Sequence, residues 1–110
     1  DADFSGIIQI KDGEVFFHGD SDGWAEFLGW SSTELIDKPF FNFVDPQDLV
    51  IGREALGQIT QGQNLRDITI RLSKKEGGHR IVEFSAISKG NTWFWFARKL
   101  PDDFHVHPRS

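Results

Sequence analysis

Hydrophobic positions along the chain fall into three blocks of different period. The first holds two apolar-rich runs, Ile7 to Lys11 and Glu14 to His18, separated by Asp12-Gly13. Asp-Gly between such runs predicts a two-residue hairpin, because a type I′ turn needs positive φ at both central positions. Residues 19–23 are polar and glycine-rich and read as a loop. In the second block the period lengthens. Trp24, Phe27 and Leu28 stand at i, i+3 and i+4, which predicts a short helix stopped by Gly29. Ser31 and Glu34 form a capping-box pair ahead of Leu35 and Ile36, and Pro39 ends that helix. Phe40, Phe41, Phe43 and Val44 make a short apolar turn. Asp45 as N-cap and Pro46 at the first helical position predict another helix to about Ile59, with Ile51, Ala55 and Ile59 on one face. Gly52 and Gly57 weaken that helix, so it depends on packing. The third block has period two. Ile68, Ile70 and Leu72 alternate with Asp67, Thr69 and Arg71, and two more strands follow, Arg80 to Ser88 and Thr92 to Arg98. Turns at 74–78 and 89–91 separate them.

The order is therefore two strands, two or three short helices, then three strands. Both strand groups belong in one sheet with the helices on one face, an α+β layer architecture. A chain of 110 residues makes one such domain, assigned here to 1–101 with a polar tail at 102–110.

Composition narrows the function classes. Twelve Lys plus Arg against 17 Asp plus Glu leave a net charge of −5. An acidic domain of this kind is poorly suited to nucleic acid or to an anionic membrane surface. No apolar run is long enough to span a bilayer and no signal-peptide pattern opens the chain, so a cytoplasmic location is expected. Cys is absent, which excludes disulfides, a thiolate nucleophile and zinc–thiolate or iron–sulfur sites. Eleven Phe and four Trp supply the large apolar side chains.

Three segments resemble PAS domains. Leu28-Gly29-Trp30-Ser31 followed by Glu34-Leu35-Ile36-Asp37-Lys38 is similar to that family's Leu-Gly-aromatic-Ser and Glu-Leu-Ile-Gly-Lys signature. Val44-Asp45-Pro46-Gln47-Asp48 resembles its Val-His-Pro-x-Asp helix start, and Arg71 to Gly77 its Arg-x-x-x-Lys-Asp-Gly turn. The resemblance runs from Phe4 to Lys99. It implies a five-stranded antiparallel sheet of order 2-1-5-4-3 and a pocket between sheet and helices. It also implies a sensory module that passes a signal to an output domain such as a histidine kinase, or else a ligand-free dimerisation or docking module. The chain departs from the pattern at Asp37, where the family has Gly, and at residues 19–22, which replace its usual Asn. It departs again at Lys99-Leu100-Pro101, where the family's closing Asp-Ile-Thr stands.

Cofactor chemistry is restricted accordingly. The flavin–thiol and coumaric-acid photosensors of the family need a Cys, so covalent photochemistry of either kind is excluded. Haem-binding members use a His on the helix that here follows Asp45, and that helix has none. His18 leaves haem a narrow opening, and non-covalent flavin or a small aromatic ligand needs no Cys. His18 and His79 read as an edge residue and a turn residue. His105 and His107 form a His-x-His pair with no third ligand, so no metal site is assigned. Asp45 with Asp48 is explained by helix capping, and Asp102 with Asp103 by a solvated tail. No catalytic motif is present, and the chain is not expected to be an enzyme.

Two features stand out. Trp24, Phe27, Trp30, Phe40 and Phe43 crowd the helical block and are either plain core or the lining of a ligand pocket. Thr69, Ser85 or Asn42 would supply a polar contact in such a pocket. The strand Trp93-Phe94-Trp95-Phe96 is apolar on both faces, with the Trp pair on one and the Phe pair on the other. Ile81 and Ile87 continue one face on the neighbouring strand, and Phe84 and Ala86 the other. One face packs on helices. The second predicts a contact surface for a second copy, a flanking output domain or helix, unless residues 1–5 or the tail through Phe104 cover it.

Overall fold

The hairpin forms where Asp12-Gly13 predicts it. In the computed structural model, which describes residues 2–19 and 21–106, β1 (Phe4–Lys11) pairs antiparallel with β2 (Glu14–His18). Asp12 and Gly13 have φ of 54° and 78°, as a type I′ turn requires. Next come α1 (Ser21–Leu28), α2 (Ser32–Ile36), 3-10 turns at Phe40–Phe43 and Pro46–Asp48, and α3 (Leu49–Thr60). The chain then returns to the sheet as β3 (Leu65–Ser73), β4 (His79–Lys89) and β5 (Thr92–Lys99). The sheet is wholly antiparallel, and its order is β2-β1-β5-β4-β3. The α+β class and the strand order thus stand as expected.

Local chemistry accounts for the helix ends. The Ser31 hydroxyl accepts from the Glu34 amide at 3.2 Å, and the Glu34 carboxylate accepts from the Ser31 amide at 2.9 Å. At Asp37 φ is −104°, so this turn does not need the left-handed geometry that a glycine would supply. Helix α1 begins earlier than expected, because residues 21–23 are helical rather than loop. Gly23 serves close approach there: a Cβ on it would stand 2.9 Å from the Phe4 ring. The third helix is also split. Asp45 caps the Gln47 amide at 2.9 Å, but α3 proper starts only at Leu49. Between them, the buried Asp48 carboxylate accepts from the Arg71 amide at 2.7 Å and from its guanidinium at 2.6 Å. Asp48 therefore anchors the helix to β3 instead of capping it.

Alternation decides what each sheet face buries. Facing the helices are Phe4 and Ile8 of β1, Val15 and Phe17 of β2, Ile70 and Leu72 of β3, Val82, Phe84 and Ala86 of β4, and Trp95 and Ala97 of β5. Register matches large residues to small ones within this layer. Trp95 lies between Gly6 on β1 and Ala86 on β4, and Ala97 lies between Phe4 and Phe84. A Cβ on Gly6 would fall 1.7 Å from the His18 carbonyl oxygen and 2.8 Å from the Trp95 ring nitrogen. That vacancy lets the Trp95 Nε1–H donate to the His18 carbonyl at 3.0 Å. A bulge between Leu65 and Ile68 leaves Asp67 at φ 54°, with its amide donating to Ser85 Oγ at 3.0 Å.

Candidate functional site

A cavity of about 90 Å³ lies between the end of β2, α1, α2, the Phe40–Phe43 turn and β3. Its wall is mostly apolar. Phe17 comes from β2, Trp24 and Leu28 from α1, Leu35 and Ile36 from α2, Phe40 and Phe43 from the turn, and Leu72 from β3. The rings form one stacked group. Phe17 stacks on Phe40 with centroids 4.2 Å apart and on Trp95 at 5.4 Å, and Trp24 meets Trp95 at 5.6 Å. Lys38, just past α2, is the cation of the lining. His18 and Gly19 complete it, but the His18 ring reaches the other way: its Nε2 lies 3.0 Å from Gln9 Oε1, and its pairing with Ile7 sets it on the outer face.

Of the residues expected in a pocket, Trp24, Phe40 and Phe43 line this cavity. Phe27 does not; it packs on Phe4 at 5.6 Å, with the Arg80 guanidinium 5.2 Å from its ring. Trp30 is held outside as well, edge-on to Phe43 with its Nε1–H donating to the Ser73 carbonyl at 2.9 Å. Asn42 belongs to a separate surface recess beside Arg53 and Phe41. Thr69 and Ser85 correct the expectation, because they project from the opposite face of the sheet. Thr69 pairs with Glu83, and Ser85 pairs with the outward Phe96, so neither reaches the interior. Phe17, Leu28, Leu35, Ile36, Lys38 and Leu72 were not anticipated. The alternation of Val15 and Phe17 against Phe16 was a usable signal for the first; nothing local marks Lys38.

The residues expected at an interface also divide. Trp95 is fully buried and Trp93 packs against the core, so both belong to the helix side. Ile81 is buried too, with its carbonyl accepting from the Leu100 amide at 3.0 Å. Ile87, Phe94 and Phe96 do face outward. They adjoin Ile7, and the paired row Ile7–Phe94–Ile87 crosses three strands. Ile7 is 48% exposed and Phe96 41%. The segments considered as covers reach part of this face: Ala2 borders a recess with Ser85 and Phe96, and Phe104 one with Ile51 and Thr69, while Ile7 and Phe96 keep their exposure.

Ionisable groups here are structural. Among the described residues no cluster of three or more His, Cys, Asp or Glu is spaced to hold a metal. His107 of the His-x-His pair lies outside the described residues. His79 Nδ1 stands 3.7 Å from Asp45 Oδ2. Glu34 is the perturbed acid: a hydrogen bond from Lys75 at 2.9 Å, then those from Ser31, lower its pKa from 4.5 to about 2. It clasps the turn after β3 to α2. Among the described residues no helix is long and apolar enough to cross a membrane.

Solved structures share this architecture. The PAS domain of a protein from Colwellia psychrerythraea superposes with a TM-score of 0.62 at 17% identity, covering 88% of this chain and 85% of that one. This chain has the PAS fold. Wild-type Drosophila melanogaster Cycle PAS-B, solved with bound ethylene glycol, gives 0.65 at 11% identity over 88% of this chain and 99% of its own. The dark-state LOV domain of the blue-light photoreceptor Aureochrome1 gives 0.60 at 18%, covering 91% and 77%. No family profile matches the sequence, and no curated protein does. The PAS fold here encloses far less space than the ~300–1,000 Å³ pockets that surround drug-sized ligands.

Proposed function

We propose that this PAS-fold domain is a sensory module that takes a small molecule into the aromatic cavity and reports it to an attached output domain, such as a histidine kinase, or to a second copy. The observation that supports this reading most is the construction of β5. Trp95 touches Phe17 and Trp24 of the cavity wall, while its neighbours, the half-buried Phe94 and the exposed Phe96, stand on the outer apolar face. Ligand and partner would thus be separated by one strand. A ligand that favours one setting of Trp95 biases the outer surface by the difference in its affinity for the two settings. Sensory use of the fold in Aureochrome1, a blue-light photoreceptor, lends support. A catalytic role gains none, because the described lining offers no carboxylate or thiol beside Lys38. The test is mass spectrometry of small molecules released from freshly purified, denatured protein. A stoichiometric compound is the expected result, and a visible absorption band would reveal flavin or haem instead.

A ligand-free dimerisation or docking module is the second reading. The Ile7–Phe94–Ile87 row with Phe96 favours it, since exposed contiguous apolar surface of this kind marks contacts. An empty cavity together with a concentration-dependent dimer would establish that reading over the first.

A further inference from the structure

Lys38 sets the cavity apart from a plain packing void. The wall from Phe17, Trp24, Leu35, Phe40 and Leu72 gives an entering molecule mostly apolar contacts. Lys38 lines the same space, is exposed, and has no ion-pair partner among the described residues. Its counterpart near the mouth, His18, is engaged with Gln9 on the other side of the sheet. Among the described residues, the site therefore combines a mostly apolar interior with one positive charge that has no ion-pair partner. A cationic guest is repelled there, a neutral one gains only a weaker hydrogen bond from the lysine, and an anionic head on a small apolar body satisfies both parts. Size limits the body further. An apolar protein cavity of about 150 Å³ holds benzene, and this one has about 90 Å³.

Resting on the reading of this cavity as a ligand site, we infer that its ligand is a small amphipathic carboxylate, with a short branched or linear apolar chain inside and its carboxylate on the Lys38 ammonium. The chain would lie against Trp24, Phe17 and Phe40. The alternative is that the Lys38 methylene stem merely shields the apolar rim of α2, as lysine stems commonly do.

Isovalerate and isoamyl alcohol, the same chain with and without charge, separate these possibilities. Each is titrated into wild-type protein and the Lys38→Gln variant, with binding read by Trp fluorescence and by NMR shifts of the indole N–H groups. Lys38 is exposed, so the variant is expected to fold; circular dichroism and thermal melting check this. The expected result is that wild type binds isovalerate more tightly than the alcohol, and that Lys38→Gln weakens isovalerate about tenfold while leaving the alcohol unchanged. Equal binding of both compounds, unaffected by the variant, overturns the carboxylate assignment and leaves the cavity as a site for neutral molecules. Binding of neither overturns the ligand reading itself and this inference with it. Binding of isovalerate that survives Lys38→Gln and moves no signal from Trp24 places the compound elsewhere and also overturns it.

Discussion

The two faces of the sheet are built from the same strands and end up with opposite characters. On the helix side, register sets large against small: Gly6, Trp95 and Ala86 stand in one row, and Phe4, Ala97 and Phe84 in the next. Each large side chain has a gap beside it, so the layer accepts helices from above and closes to near-complete burial. On the outer side, Ile7, Phe94 and Ile87 stand in one row with no small residue between them. Paired side chains at that spacing touch one another and form a ridge. The inner face is filled by its own chain, and the outer ridge keeps Ile7 48% exposed. The comparison teaches that neither apolar content nor row pattern alone identifies a core: Phe96 stands between Ser5 and Ser85 on the outer face and is 41% exposed.

Substitution of neighbours on β5 gives the sharpest test. Trp95→Ala removes a fully buried indole and its bond to the His18 carbonyl, and should lower unfolding stability by about 3–5 kcal/mol in urea denaturation. A cost under about 1 kcal/mol would mean that the inner layer is not packed as described. Asp48→Ala comes next. It leaves the Arg71 amide and guanidinium without their acceptor and unfastens α3 from β3, for an expected loss of about 2–4 kcal/mol by the same measurement. The cost lies toward the lower end because Arg71 keeps 21% of its side-chain surface in water.

Phe96→Ala should change the stability of a monomer by no more than about 1 kcal/mol, since the ring is 41% exposed. Its effect belongs to association: analytical ultracentrifugation should show a dimer, where one forms, dissociating at higher protein concentration. A loss of stability matching that of Trp95→Ala would erase the distinction between the faces, because the outer surface would then be buried in the isolated domain. The smallest effect concerns Glu34, whose folded pKa of about 2 lies below its ordinary 4.5. The Lys75 clasp is therefore complete above pH 4.5 and is lost as pH falls toward 2. Hydrogen exchange should show α2 and the turn at 74–78 loosening across that window, with Glu34→Gln removing the pH dependence there. An α2 equally protected at both ends of the window would count against the clasp.

Much of the fold was legible because its signals are local. Asp12-Gly13, the Ser31–Glu34 box and the Gly29 stop each concern a few adjacent residues, and each took the form expected. Gly23 misled because glycine reads locally as a helix breaker, whereas its function is to let α1 approach Phe4, a residue far earlier in the sequence. Asp48 misled for a related reason: a carboxylate in a first helical turn has an obvious local use, and its true partner, Arg71, lies on a strand formed later.

The sequence by itself determined the strand and helix periods, the turn and cap chemistry, and the absence of any thiol for covalent cofactor chemistry. Alternation also showed that β5 has two apolar faces. Which face turns to the helices was decided only by tertiary structure, because a period of two separates the faces without ranking them. The inter-strand register that puts Gly6 and Ala86 beside Trp95 made that choice, by giving one of the two faces room for an indole. The same non-local pairing sent Thr69 and Ser85 outward and brought Lys38 to the cavity.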